Sequence, residues 1–338
     1  MRMLNIKNRF IKKITAFISS AIFILIIFAT LFITGCSPAN QSGTEVRSET
    51  NTGQSEVDID KSEAGEVFSF IFMSDTQADP ELGDYSLFGE ILGLALIHES
   101  RPTLLVLGGD NVNNGSREEE WVAFWAAITE NPDGIIMASA AGNHDNDPLL
   151  AKQFDYPQTA PENNSNGYFY SFTAGNIFFL ILDSNILGAG RDYDIEWTKS
   201  QLTSDAAINA DWRITVLHHP LWTVADIPRD MQRAETMRES LLYILDENGV
   251  DLILCGHQHM YSRSIPMRGG TSGNNGLIQI MAASGAKESY RTGNNDNFEV
   301  IAPAPNYLII EAWTEALEIT AYDGNGETLD NVRILRRR

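Results

Sequence analysis

Short apolar runs recur along this sequence, and the turns that close them constrain the fold more than any other feature. Residues 68–74, 104–108, 135–138, 177–182, 214–217 and 252–255 are strand-length stretches of apolar and small residues. Most end in polar turns: Asp75 with Gln77, Gly109-Asp110-Asn111, Gly142-Asn143-His144-Asp145, His218-His219-Pro220, and Gly256-His257-Gln258-His259. Between several runs lie helical periods. In 85–98 the residues Leu87, Phe88, Ile91, Leu92, Ala95 and Leu96 share one face. Residues 118–128, 194–202 and 229–245 read similarly, and Gly249 reads as a helix stop. Strands alternating with helices predict an α/β fold with a largely parallel sheet. In such folds ligands collect beyond the carboxyl ends of the strands. Later the pattern changes. Residues 277–282, 307–312 and 317–322 are runs with little helix between them, and the short Thr314-Glu315 turn predicts an antiparallel pair.

The chain has 6 histidines, and all except His98 fall in those turns. His98 reads as an ordinary surface or packing residue. The turns gather carboxylates, an amide oxygen and imidazoles but no thiolate. Such donors suit Mn, Fe or Zn and argue against a structural zinc knot. They outnumber what one ion needs, and two ions bridged by one carboxylate would use them all. In the 142–145 turn the glycine permits a sharp bend, Asn143 offers a neutral oxygen, His144 can carry a proton near neutral pH, and Asp145 is expected to orient it.

The series Asp75-x-Gln77, Gly109-Asp110, Gly142-Asn143-His144-Asp145, His218 and Gly256-x-His259 resembles the calcineurin-like metallophosphoesterase superfamily over about residues 66–335. Glu196-Trp197, Leu202, Leu182-Asp183-Ser184 and Met260-Tyr261-Ser262-Arg263 are similar to its purple-acid-phosphatase-like branch. The resemblance implies a four-layer α-β-β-α sandwich of two mixed sheets flanked by helices. It implies that Asp75, Gln77 and His259 hold a first divalent metal ion, that Asn143, His218 and His257 hold a second, and that Asp110 bridges them. A hydroxide held by the two ions would attack phosphorus, with His144 contacting the phosphoryl or leaving-group oxygen and Asp145 fixing its tautomer. Two positions depart from the family pattern. Gln77 stands where histidine is commoner, which favours a harder ion such as Mn²⁺ or Fe²⁺. Asn113 stands where the purple enzymes carry a tyrosine, so no tyrosinate-to-iron colour is expected.

Other residues carry weaker signals. His219 is a candidate for substrate contact or for support behind the metal ligands. Trp222 lines the pocket or packs beneath its loop, and packing is the commoner role of an aromatic. Lys287 and Arg291, in the polar loop 285–297, are candidate phosphate contacts. Arg263 reads as a structural ion pair, with substrate contact as the alternative. Cys255 reads as a small buried hydrophobe.

The chain's beginning has a separate character. Arg2, Lys7, Arg9, Lys12 and Lys13 precede an almost wholly apolar stretch, 14–34. That is the layout of a secretory signal. Ile33-Thr34-Gly35-Cys36 resembles the lipobox of bacterial lipoproteins, which implies lipidation at Cys36 and anchoring at the outer face of the cell membrane. Residues 37–65 are too polar to fold and read as a flexible linker, leaving 66–338 as the phosphoesterase domain. The formal net charge of −21 argues against nucleic acid as the main partner. The expected ligand is a small phosphate ester, mono- or diester. A non-catalytic lipoprotein that captures phosphate or metal is the alternative.

Overall fold

The structure is a computed structural model and describes residues 67–78, 83–129, 135–145, 149–154, 168–187, 192–273, 276–293 and 296–336. Cys36, the expected leader and the linker lie outside the described residues. None of the described helices is long and apolar enough to cross a membrane.

Strand β1 (Phe68–Met73) turns Phe70 and Phe72 to one side and Ile71 and Met73 to the other, and all four are buried. A strand apolar on both faces needs cover on both. The crossover helices supply it on one side. Helix α1 (Ser86–Leu96) leads to β2 (Leu104–Leu107), and α2 (Glu118–Thr129) leads to β3 (Ile136–Ser139). Strands β1, β2 and β3 run parallel. Phe88, Ile91, Leu92, Trp121 and Phe124 pack with Ile71, Met73, Leu105 and Leu107 in one cluster.

The second sheet begins with β4 (Tyr170–Ala174) antiparallel to β5 (Ile177–Ile181), and β5, β6 (Trp212–Val216) and β7 (Leu252–Cys255) are parallel. Its outer face carries α3 (Asp192–Leu202), the short α4 (Asp205–Asn209) and α5 (Pro228–Met237). A π-helical turn, Arg238–Leu242, continues α5 into α6 (Tyr243–Glu247), and Gly249 follows at φ 64°, the left-handed stop that glycine provides. Leu202, Met237, Leu241 and Leu245 cluster there with Phe178, Leu180 and Ile253.

Strand β8 (Met260–Ser264) precedes a small hairpin, β9 (Met267–Arg268) with β10 (Thr271–Ser272). Strands β11 (Ile278–Met281) and β12 (Phe298–Pro303) then complete the second sheet in the order β12-β8-β11-β7-β6-β5-β4. The chain returns to the first sheet through β13 (Asn306–Ala312), β14 (Ala316–Asp323) and β15 (Thr328–Leu335), giving β15-β14-β13-β1-β2-β3. Strands β13 and β14 are the antiparallel pair expected around Thr314-Glu315.

The inner faces of the sheets meet in a single core that includes Phe70, Phe72, Val106, Phe179, Ile214, Leu254, Ile280, Leu308 and Ile310. Phe70 meets Phe179 edge-on at 5.2 Å between ring centres. Burial of such a side chain contributes roughly 2 kcal/mol. The layers are helices, sheet, sheet, helices. The apolar runs alone predict one largely parallel sheet; the molecule has two mixed sheets, as the family resemblance implies. The difference lies in β4, β8, β12 and β15. Strands β12 and β15 lie at sheet edges with alternating or sparse burial, and half-exposed edge strands do not read as apolar runs.

Candidate metal centre

The carboxyl ends of β1, β2 and β3 from one sheet meet those of β6 and β7 from the other. The chain leaves the strands abruptly: Asp75, Asp110, His257 and His259 have φ of 50°, 53°, 77° and 50°. Each such backbone costs on the order of 1 kcal/mol for a non-glycine residue and persists only where surrounding contacts enforce it. The flanking glycines allow the close approach. A Cβ on Gly142 would lie 2.1 Å from Asp110 Oδ1, and one on Gly256 would lie 2.1 Å from Asp75 Oδ2.

One half of the centre is rich in oxygen. Asp75 Oδ2 accepts from Ser74 Oγ at 2.8 Å and from the His257 amide at 2.9 Å. Its Oδ1 has no hydrogen bond among the described residues and lies 3.4 Å from His259 Nε2. The His259 Nδ1–H donates to the Glu288 carbonyl at 3.0 Å, which leaves Nε2 as the free nitrogen. Gln77 points its amide Nε2 at the Val112 carbonyl, at 3.5 Å, and its buried Oε1 is unpartnered among the described residues. Asp75, Asp110 and His259 offer ligand atoms that all lie within 4.8 Å of one another.

The other half is built of imidazoles. His218, His219 and His257 offer atoms within the same 4.8 Å of one another. The His218 Nδ1–H donates to the Gly108 carbonyl at 3.0 Å, and its buried Nε2 lies 3.3 Å from Asp110 Oδ2. Asp110 therefore touches both groups, the position a bridging ligand needs. Its other oxygen accepts the His144 amide at 2.8 Å. Burial pulls His218 towards neutrality, but the Asp110 carboxylate outweighs it and pushes the ring up to about 10. Burial works against the Asp110 charge, while His218 and His144 hold that carboxyl down at about 2. Burial, reinforced by the neighbouring cationic groups, keeps His219 well below the ordinary histidine range.

The donor set fits divalent metal ions. Asp75 Oδ1, Gln77 Oε1 and His218 Nε2 are buried with no hydrogen bond among the described residues. Each such atom costs about 1–3 kcal/mol if nothing satisfies it; a cation between the strand ends would partner the two oxygens directly, and His218 Nε2 once it gives up its proton. Mixed carboxylate, amide and imidazole donors suit Mn, Fe or Zn.

The turn after β3 divides its work differently from the expectation. His144 is held by the Asn113 carbonyl, to which its Nδ1–H donates at 2.7 Å, and its Nε2 lies 4.0 Å from Asp110 Oδ2. The Asp145 carboxylate instead accepts from the backbone N–H groups of Gly142 at 2.8 Å, Asn111 at 2.9 Å and Asp110 at 3.3 Å, and from the Asn111 amide. Asp145 thus folds the turn around Asp110, and the tautomer-fixing role expected of it belongs to the Asn113 carbonyl. Burial and the Asp110 charge push Asp145 up to about 6 despite these donors. Asn143 is exposed and its side chain makes no hydrogen bond among the described residues, although its neighbours Gly142 and His144 both touch Asp110.

The weaker candidates separate. Trp222 is buried, and its backbone N–H and C=O both bond to Gln279, so it packs under its loop. Arg263 pairs with Asp330 at 2.6 Å and with Glu299, a structural network. Lys287 lines a cavity of about 520 Å³ with Tyr85, Asn113, Arg117 and Glu120, beside the carbonyl that holds His144. Arg291 is exposed and lines another cavity with Asp226 and Tyr290. His98 bonds to Ser100 and Tyr322, away from the centre. Cys255 is a buried free thiol.

Two residues that the sequence did not single out belong here. Asp230, buried in the first turn of α5, places Oδ2 3.2 Å from His257 Nε2. Tyr290 sets its ring 5.0 Å from that of His259 and 6.0 Å from that of His257. An acidic residue at a helix start is common, so Asp230 carries no sequence signal of a site. For Tyr290 the only signal was an aromatic within an otherwise polar loop.

Comparison with known proteins gives one consistent result. The family model described as calcineurin-like phosphoesterase matches residues 68–261. An uncharacterised Mycobacterium tuberculosis protein, Rv2577, is 30% identical over 224 residues, covering 59% of this chain and 40% of that protein. Purple acid phosphatase 23 of Arabidopsis thaliana is 25% identical over 155 residues, covering 44% and 32%. The chain thus spans less than half the length of these relatives. Among solved structures, the purple acid phosphatase PPD1 from yellow lupin (Lupinus luteus) seeds aligns with TM-score 0.68 at 19% identity, covering 80% of this chain and 54% of that one. GAP50 of Plasmodium aligns with TM-score 0.62 at 19% identity, covering 80% and 90%. These structures share the fold.

Proposed function

The chain belongs to the calcineurin-like phosphoesterase family, and from that premise we propose that it hydrolyses small phosphate esters with two divalent metal ions. The observation that carries this reading is the placement of Asp110, which lies in the oxygen-rich group and 3.3 Å from an imidazole of the other. Asp75, Gln77 and His259 would hold one ion, His218, His257 and Asn143 the other, with Asp110 shared. Bound there, the ions would supply Lewis-acid polarisation of the phosphoryl group and activate water.

The chain's own residues do the rest. The Asn113 carbonyl holds the proton on His144 Nδ1 and so directs Nε2 towards the centre. His144 is 44% exposed, so a substrate can reach it, and in its protonated form Nε2 can donate to the leaving oxygen. Asp145 fixes the backbone from which His144 projects. The similarity to purple acid phosphatases supports a phosphomonoester substrate. The Ile33-Thr34-Gly35-Cys36 motif supports a lipid anchor on Cys36 at the outer face of a bacterial membrane; mass spectrometry showing an intact Met1 and a free Cys36 would remove the anchor.

Full-length protein in detergent, supplied with Mn²⁺, Fe²⁺ or Zn²⁺, should turn over p-nitrophenyl phosphate or its bis ester. His144→Ala should lower kcat by about 10²–10⁴-fold while metal content stays unchanged. Bound ions with no turnover under any metal would favour a non-catalytic phosphate- or metal-binding protein.

A further inference from the structure

Consecutive residues on a strand point to opposite faces, yet His218 and His219 both turn inwards where β6 ends. The His219 ring centre lies 4.3 Å from that of His257 and 5.0 Å from that of His218. A hydroxyl holds it there twice. Ser184 Oγ accepts the His219 backbone N–H at 2.9 Å and sits 2.9 Å from the ring Nδ1. His219 is buried, and among the described residues its Nε2 has no hydrogen bond.

The three rings share one design. Each turns a nitrogen to an outer group: His218 Nδ1 bonds to the Gly108 carbonyl, His257 Nε2 lies 3.2 Å from Asp230 Oδ2, and His219 Nδ1 lies 2.9 Å from Ser184 Oγ. The other nitrogen of His218, Nε2, lies 3.3 Å from Asp110. Outer partners of this kind set the tautomer of metal-bound histidines. His218 and His257 have carboxylate neighbours, whereas among the described residues the ring of His219 bonds to a hydroxyl, and the atoms the three rings offer lie within 4.8 Å of one another. A hydrogen bond between substrate and His219 would not require it to converge with the other two.

We propose that His219 is a metal ligand, adding a third imidazole to the half of the centre that holds His218 and His257. Ser184 Oγ, which can accept from both the amide and the ring, then fixes the proton on Nδ1 and leaves Nε2 for the ion. The inference rests on the metal-centre reading above.

The test uses full-length protein labelled with ¹⁵N-histidine and loaded with ¹¹³Cd²⁺ alone. Nε2 of His219 should show direct coupling to ¹¹³Cd, with its resonance assigned by its loss in His219→Gln. Coupling confined to His218, His257 and His259 overturns the proposal and leaves the metal centre standing. No coupling at any histidine removes the metal centre and the proposal together. In Zn²⁺ titrations His219→Gln should weaken one of two binding steps by on the order of 100-fold and leave the other unchanged. Ser184→Ala, which keeps the imidazole, should weaken the same step by less. Two unchanged steps in a folded His219→Gln protein would also overturn it.

Discussion

One half of the centre offers oxygen from Asp75, Gln77 and Asp110 with a single imidazole, His259; the other offers three imidazoles and shares Asp110. The halves also differ in how they are held. The oxygen half leans mainly on backbone: the His257 amide holds Asp75 together with the Ser74 hydroxyl, the Glu288 carbonyl holds His259, and the Val112 carbonyl holds Gln77. The imidazole half leans on side chains for two of its rings, through Asp230 and Ser184. Backbone partners are nearly indifferent to substitution. Side-chain partners can be removed one at a time, so the imidazole half should be the easier to perturb selectively. Harder ions suit the first half and Zn²⁺ suits the second.

Asp110→Asn should produce the largest effect because both halves lose their shared charge. Activity should fall by about 10³-fold or more, the consequence of several kcal/mol of lost metal-centred stabilisation. Metal analysis after desalting should show both ions depleted. Loss of one ion with full retention of the other would mean that Asp110 belongs to one half only.

Asp230→Asn tests the side-chain support of the imidazole half. Its carboxylate, held down at about 2 against burial by His257 and Arg229, faces His257 Nε2 at 3.2 Å. An amide keeps the shape and loses the charge. Calorimetric titration should show Zn²⁺ bound about 10–100-fold more weakly at one step, with the Mn²⁺-preferring step intact. Equal weakening of both would break the division between halves.

Gln77→His should strengthen the oxygen half. It replaces an amide oxygen by the better imidazole donor and restores the commoner motif. Zn²⁺ affinity at that half should rise by roughly tenfold, and the preference for Mn²⁺ over Zn²⁺ should narrow. Competition between the two metals, read by mass analysis of bound ions, measures this directly.

The sequence exposed the oxygen half more completely than the imidazole half, and geometry explains why. Asp75, Gln77, Asp110 and His259 follow apolar runs at short spacing, so each was visible as a strand end. His257 was visible in the same way, but its partner Asp230 lies on a different element, and only the packing of α5 against the sheet joins them. Sequence takes His219 only as far as substrate contact or support behind the metal ligands, because strand periodicity sends neighbouring residues apart and nothing in sequence shows the chain bending at 218–219. The role of Asp145 was misread for a related reason. Its partners include backbone N–H groups of another turn, and their directions have no sequence signature. In the fold, the parallel strands were legible because burial on both faces makes them continuously apolar. The edge strands β12 and β15 were not, since their outer residues answer to solvent.

The smallest expected effect lies away from both halves and calibrates them. Asp330 accepts from Arg263 Nε and from the Tyr261 hydroxyl, each at 2.6 Å, on the strand that follows His259. Burial pushes the Asp330 carboxyl up, but Arg263 and Tyr261 outweigh it and hold it below the ordinary range. A carboxyl lowered in the folded state contributes stability above its unfolded pKa, and that contribution is lost as pH falls through the folded value. Asp330→Asn should therefore lower Tm at pH 7 by a few degrees, about 1 kcal/mol after allowance for solvent screening. The gap from wild type should close as the pH is lowered through the acid range below about 4. Both metal-binding steps should be unaltered. A shift in either step would show that stability and metal affinity are coupled through β8, and the selective effects expected at Asp230 and Gln77 would then have to be corrected for global loosening before the two halves could be compared.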